Sequence, residues 1–289
     1  MDFVQVDVFA DTPYSGNPLA VFPDAADLTR GQMQAIAAEM NLSETTFVTG
    51  YDDESYEMRI FTPREELPFA GHPTLGTAWV LRRMERLTSS EVTQRTGAGA
   101  TAVTISDGDL VRFRRTGRAS EDLKATRGDI DSAIARALGL EPSDIGLEPR
   151  ELGRSVARLN PARSEAGIMH FLVPVRDRAT LGRCAPNAAL LTEVTEGLGA
   201  YCYTATAAGA LQARGFFPSF GIDEDPGTGS AAACLGILLS DRLGALDVVV
   251  TQGIEMGRPC KIHLEADADW VEVGGHCQLV FEGRLVSVP

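Results

Sequence analysis

Four side chains in this sequence have the types and settings for proton chemistry on a small anion. Glu44 lies in Asn41-Leu42-Ser43-Glu44-Thr45-Thr46, between a helical stretch and a β-branched run. His72 lies in Phe69-Ala70-Gly71-His72-Pro73-Thr74, and Asp225 and Ser230 share Asp223-Glu224-Asp225-Pro226-Gly227-Thr228-Gly229-Ser230. Carboxylate and imidazole groups move protons near neutral pH once burial and neighbours shift their pKa values. Each also has an ordinary reading. Asp-Pro turns and N-terminal carboxylates stabilise helices, a serine begins or caps a helix, and a lone histidine is more often structural. Glu44 could equally belong to a capping pattern or a solvated corner; composition and spacing alone do not single it out.

The elements around these residues give them a common setting. Pro73 suits the first turn of a helix, and Leu75, Ala78, Trp79, Val80 and Leu81 make that helix apolar nearly all round, as in a buried one. The same pattern recurs at 228–239, a glycine-rich start followed by small and apolar residues. Each helix would aim unpaired N–H groups and a positive dipole end at its glycine loop, a place suited to carboxylate or phosphate. If the termini face each other, they hold a small anion and stabilise an enolate-like charge beside it. The ordinary reading is that the glycines serve close helix packing.

Strands are expected at 4–8, 19–22, 45–48 and 56–61, with a helix over 28–40 capped by Thr29. Short strands at 102–105, 110–114 and 170–175 and helices at 130–138 and 187–196 follow. A strand-rich tail is expected at 247–250, 261–264, 270–273 and 277–281. This reads as two α/β halves, each a set of strands around one buried helix. The polar segment 116–128 is the expected boundary, giving halves 1–118 and 119–289, with the last strand able to return to the first half.

Other classes are disfavoured. The chain carries 40 Asp+Glu against 26 Lys+Arg, a net charge of −14, a surface that repels nucleic acid and anionic lipid. The N-terminus alternates like a strand, without the basic and apolar regions of a signal peptide. The longest charge-free apolar run, 231–239, falls short of the ~20 residues that span a bilayer. Cys184, Cys202, Cys234, Cys260 and Cys277 are odd in number and scattered, which suits free thiols in a reducing cytoplasm. Gly227-Thr228-Gly229-Ser230-Ala231-Ala232 matches the loose GxGxxA dinucleotide pattern, but three acidic residues precede it and it comes late in the chain. Phosphate-loop and GxSxG patterns are missing, and the histidines show no HExxH or other metal-ligand spacing, so no metal is expected.

At the same loops the sequence resembles the PhzF-like (phenazine biosynthesis) isomerase family, nearly end to end. The resemblance is carried in order by Val6-Asp7-Val8-Phe9 with Tyr14-Ser15-Gly16-Asn17-Pro18-Leu19-Ala20-Val21, and by Met40-Asn41-Leu42-Ser43-Glu44-Thr45-Thr46-Phe47. Phe61-Thr62-Pro63 with Glu66-Leu67-Pro68-Phe69-Ala70-Gly71-His72-Pro73-Thr74 follows, then Glu224-Asp225-Pro226-Gly227-Thr228-Gly229-Ser230-Ala231. Gln252-Gly253-Ile254-Glu255-Met256-Gly257-Arg258-Pro259 and Val273-Gly274-Gly275 complete it. The resemblance implies the diaminopimelate epimerase-like fold, with the site between two pseudo-symmetric halves. It implies a cofactor-independent isomerase, commonly homodimeric, moving a proton on a small carboxylate-bearing molecule. Glu44 would be the acid/base, His72, Asp225 and Ser230 would assist, and Asn17, Gly71 and Gly229 would contact substrate.

The chain departs from the family pattern where Gly227 replaces valine in the second motif. Racemases of this fold use a cysteine at each helix start; here those positions read Gly71-His72 and Gly229-Ser230, and Cys234 lies a turn beyond. Two-thiol racemisation is therefore disfavoured. A racemase with non-cysteine bases, a binding protein without chemistry, and a hydrolase using Ser230, His72 and Asp225 are the competing readings.

Overall fold

The computed structural model describes residues 1–106, 109–116, 118–123, 129–148, 157–206, 210–267 and 269–289. The first part of the chain forms β1 (Asp2–Val8), β2 (Asn17–Phe22), α1 (Arg30–Met40), β3 (Glu44–Tyr51), β4 (Ser55–Phe61), β5 (Glu66–Leu67), α2 (Gly71–Arg83), β6 (Glu91–Thr96), β7 (Gly99–Ile105) and β8 (Leu110–Arg115). The rest forms β9 (Arg118–Asp122), α3 (Ile130–Leu138), β10 (Ala162–Glu165), β11 (Met169–Pro174), α4 (Arg178–Arg183), α5 (Ala188–Thr195), β12 (Ala200–Ala205), β13 (Leu211–Phe217), β14 (Ile222–Asp225), α6 (Gly229–Leu243), β15 (Leu246–Gln252), β16 (Cys260–Asp267) and β17 (Trp270–Arg284).

Two helices organise everything else. Every residue of α2 from Gly71 to Leu81 is buried, as is α6 from Gly229 to Ser240. A helix apolar on all faces cannot be covered by one sheet face, so strands must surround it. Around α2 the ladder runs β1–β2 antiparallel, β2–β3 parallel across α1, β3–β4 antiparallel, β4–β6 parallel across α2, then β6–β7 and β7–β8 antiparallel. The pattern repeats around α6: β10–β11, β11–β12 parallel across α4 and α5, β12–β13, β13–β15 parallel across α6, then β15–β16 and β16–β17.

The two rings close by exchanging strands. The first part of β17 pairs with β16 and β8, and its continuation pairs with β1 from Val8↔Cys277 to Asp2↔Arg284. In return β9, following β8, pairs with β10. This is the arrangement of two α/β halves that the sequence pattern predicts, in the pseudo-symmetric, epimerase-like architecture that the family resemblance implies. Of the expected boundary segment, residues 117 and 124–128 lie outside the described residues.

The C-terminal strand corrects one expectation. Gly274-Gly275 reads as a break between two strands, yet β17 runs through it unbroken. A Cβ on Gly275 would stand 2.4 Å from the Phe9 ring, and one on Gly274 2.7 Å from Arg112 Cγ. These glycines mark close approach of neighbouring chain, not a turn.

The starts of α2 and α6 meet backbone to backbone. A Cβ on Gly71 would lie 2.6 Å from Ser230 N and 2.7 Å from Gly229 C. Gly71→Ala must push the helices apart and should cost about 1–3 kcal/mol of stability. Gly31→Ala, on exposed α1 with nothing within 4 Å of its Cβ, should instead stabilise by about 0.5–1 kcal/mol. Urea denaturation of the two variants beside wild type checks both signs.

Candidate active site

The facing helix starts differ from the other helix starts in one respect. Thr29, Asp129, Asp177 and Asn187 cap α1, α3, α4 and α5 through their side chains. Ala70 and Thr228, which precede α2 and α6, make no such cap. The first turns of the two central helices thus keep N–H groups that no side chain caps, beside the positive ends of two dipoles.

The acidic residues arrive on turns built for the purpose. Asn41 ends α1 in the left-handed region at φ 50°, which asparagine tolerates, and turns the chain so that Glu44 opens β3 opposite Leu19 of β2. Asp225 closes β14, whose preceding residue Glu224 is held by a bidentate pair with buried Arg214 at 2.8 Å. Asn17 opens β2 at the end of a loop secured by Arg258, which donates to the carbonyls of Ser15 and Gly16 and pairs with Asp7.

The two carboxyl groups have opposite surroundings. Asp225 accepts from Asn17 Nδ2 at 2.9 Å, Ser43 Oγ at 3.1 Å and Thr228 Oγ1 at 2.6 Å. Burial raises its pKa, and those three donors oppose the rise. Glu44 is buried, and its Oε2 has no hydrogen-bond partner. Burial first, and then repulsion by Asp225, push its pKa well above the usual carboxylate range. His72 Nδ1 lies 3.1 Å from Glu44 Oε2, but burial lowers the imidazole to about 3, so the ring is neutral. The contact is therefore between two uncharged groups, not an ion pair.

A narrow cleft opens at the helix starts. Glu44, Asp225, Thr228, Ser230 and His170 form its polar wall, and Leu67, Phe69, Ile168, Phe217, Phe220 and Ile222 its apolar one. No lysine or arginine is among the described lining residues. An anion there must be received by backbone N–H groups and hydroxyls.

The fold thus brings Asn17, Glu44, Gly71, His72, Asp225, Gly229 and Ser230 together from four separate segments. His72 stands behind Glu44, and Asn17, Gly71 and Gly229, like His72, are not among the cleft-lining residues. Ser230 hydrogen-bonds His170 Nε2 at 2.9 Å, and His72 contacts Glu44, so the Ser230–His72–Asp225 grouping of a hydrolase is not assembled. His170 was not singled out from the sequence. Buried, edge-on to Phe217 and lowered to about 4 by burial, it reaches the site from β11. Nothing in its own stretch, Ile168-Met169-His170-Phe171, signals that. Cys234 donates to the Ile168 carbonyl from inside the core, and neither helix start carries a thiol.

This geometry has known relatives. The phenazine biosynthesis-like family (PhzC-PhzF) matches residues 6–283. The chain belongs to that family. It is 34% identical over 291 residues to the trans-2,3-dihydro-3-hydroxyanthranilate isomerase of Pseudomonas aeruginosa, covering 98% of each. It is 36% identical to an uncharacterized isomerase of Pasteurella multocida, covering 97% of this chain and 92% of that one. The crystal structure of a PhzF-family protein from Bacillus anthracis superposes with a TM-score of 0.86 over 99% of both chains at 23% identity, a likeness of fold. This PhzF-family chain is accordingly an isomerase-family enzyme. Among the described residues no helix is long and apolar enough to cross a membrane.

Glu44 leaves a signature in stability. A carboxyl whose pKa is raised on folding binds more protons folded than unfolded, so stability present below its ordinary value of 4.5 is lost as pH rises toward the folded value. Glu44→Gln removes this loss. The melting temperature of the variant relative to wild type should rise as pH increases from 4.5 toward the folded value of Glu44. The buried neutral histidines act on the other side: ordinary at 6.5 and lowered to about 3 and 4, they cost stability as pH falls below 6.5 in both proteins.

Proposed function

We propose that this enzyme moves a proton between two carbons of a small carboxylate-bearing substrate, with Glu44 as the acid/base and no cofactor. The observation that carries the reading is the isolation of Glu44. It is a buried carboxyl without hydrogen-bond donors on Oε2, facing a cleft between two helix starts without side-chain caps. A raised pKa lets one group serve as base and then as acid near working pH.

In the proposed reaction Glu44 takes a proton from carbon next to a carboxylate, carbonyl or diene. The C–H electron pair enters the conjugated system, the double bond shifts, and Glu44 returns the proton to another carbon. The N–H groups around Gly71 and Gly229 and the Ser230 hydroxyl receive the substrate carboxylate and the charge that develops beside it. Asp225, Asn17 and His72 orient Glu44 and assist the second transfer. The apolar wall of Phe217, Phe220 and Ile222 suits a flat hydrocarbon face. The absence of a thiol at either helix start favours this over a two-cysteine racemase, and relatives named as dihydro-hydroxyanthranilate isomerases point the same way. The same reading places the enzyme in the cytoplasm as a homodimer, with halves 1–118 and 119–289.

Proton NMR in D₂O tests it, using trans-2,3-dihydro-3-hydroxyanthranilate and other small cyclic carboxylates with wild type and Glu44→Gln. Wild type should place deuterium on a ligand carbon, and Glu44→Gln should slow this by at least ~10²-fold. Undiminished exchange in the variant would remove Glu44 from the mechanism. Saturable binding without exchange in wild type would make the protein a binder, and exchange at one stereocentre without double-bond migration would make it an epimerase. The wild-type rate should also rise with pH along a limb above the 4.5 of an ordinary glutamate, because the base form of Glu44 must be generated first.

A further inference from the structure

Behind the polar wall lies a fully buried amide, Gln252, the last residue of β15, whose four hydrogen bonds are all made inside the protein. Its orientation is decided by its partners. The Thr228 backbone N–H can only donate, so the group facing it at 3.0 Å is Oε1, which also accepts from Tyr201 Oη at 3.0 Å. The Asp225 carbonyl can only accept, so the group facing it at 2.8 Å is Nε2. The remaining Nε2 proton goes to Thr228 Oγ1 at 3.0 Å. No flip of the amide satisfies these partners.

That direction propagates. With a donor already on it, Thr228 Oγ1 sends its single proton to its other neighbour, Asp225 Oδ2, at 2.6 Å. On the other side, the Gly227 carbonyl at 2.9 Å fixes Asn17 Nδ2 as the group that donates to Asp225 Oδ1. Asn17 Nδ2 also lies 3.3 Å from His72 Nδ1, but its contact with Asp225 is the shorter, so both oxygens of Asp225 face donors. Glu44 Oε2 has no such donor.

We propose that Gln252 is a positioning residue which, through the Thr228 hydroxyl, keeps Asp225 the ionised member of the carboxyl pair and leaves the mobile proton on Glu44. Two acids in one site with their protonation states pushed apart is the arrangement that divides acid and base roles. Gln252 does this without touching substrate: Thr228 lines the cleft and Gln252 does not. Among the described residues, the titratable groups facing Asp225 are Glu44 from β3, Tyr201 from β12, Cys260 from β16 and its neighbour Glu224. Burial keeps the Tyr201 hydroxyl and the Cys260 thiol neutral, and Arg214 pairs with Glu224, so the hydrogen-bond chain from Gln252 is the adjustable element.

The proposal rests on the reading of Glu44 as acid/base for its catalytic meaning, but its test does not need substrate. Carboxyl ¹³C NMR titration of the full ligand-free chain would follow Asp225 and Glu44 in wild type, Thr228→Val, Thr228→Ser and Gln252→Met. Thr228→Val and the Gln252 variant should raise the Asp225 midpoint by about one pH unit, the size of one hydrogen bond to a charged group, and lower that of Glu44. Thr228→Ser keeps the hydroxyl and should titrate as wild type. The pH limb of deuterium exchange should move in the same variants and not in Thr228→Ser. An Asp225 midpoint unmoved in Thr228→Val and the Gln252 variant, or moved as far in Thr228→Ser, overturns the proposal. Absence of exchange in wild type would instead sink the reading of the reaction, while the titration still decides the role of Gln252.

Discussion

The candidate site is built on the contact between two helix starts, where Gly71 lies against the Gly229–Ser230 backbone with no side chain between. Such an approach brings two positive dipole ends together. It is tolerable only because the surrounding fold forces it and an anion can relieve it. The forcing comes from the strand exchange. β17 is ladder-bonded to β1, β8 and β16, so the rings around α2 and α6 cannot rotate freely against each other. The helices are driven inward by burial of nearly every residue they contain, worth about 25 cal/mol for each Å² of apolar surface removed from water.

Around that contact the protein places acids and not bases. Glu44 and Asp225 share a cleft lined by no described lysine or arginine, and two neutral histidines stand nearby. Water would ionise both acids; burial resists it. The outcome is decided by hydrogen bonds, which are generous to Asp225 and withheld from Oε2 of Glu44. A buried polar atom without a partner costs stability, and here that cost falls on Glu44, the carboxyl proposed as the acid/base. The starts of α2 and α6 likewise lack the side-chain caps present on the other helices, which leaves their first-turn N–H groups without a side-chain partner.

Much of the fold was legible from local pattern. The all-round apolar helices at Gly71 and Gly229 announced that strands must encircle them, and the repeated glycine-rich start announced two related halves. Thr29 as the cap of α1 stands where its residue type puts it. Gly274-Gly275 misled, because a glycine pair in a strand signals a turn and a close packing partner equally well, and only Phe9 and Arg112, distant in sequence, choose between them.

The site divides along the same line. Local chemistry determined which residue types stand at the helix starts, and a family resemblance gathered Asn17, Glu44, Gly71, His72, Asp225, Gly229 and Ser230 into one place. What each can do was decided by tertiary structure alone. His72 turned out to back Glu44, His170 and not His72 reached Ser230, and Gln252 reached Asp225 through Thr228. The physical reason is that residue type and spacing specify donors, acceptors and helical or extended shape over a few residues. Protonation depends on desolvation and on hydrogen bonds from segments up to 208 residues away, and those exist only once the two rings have closed.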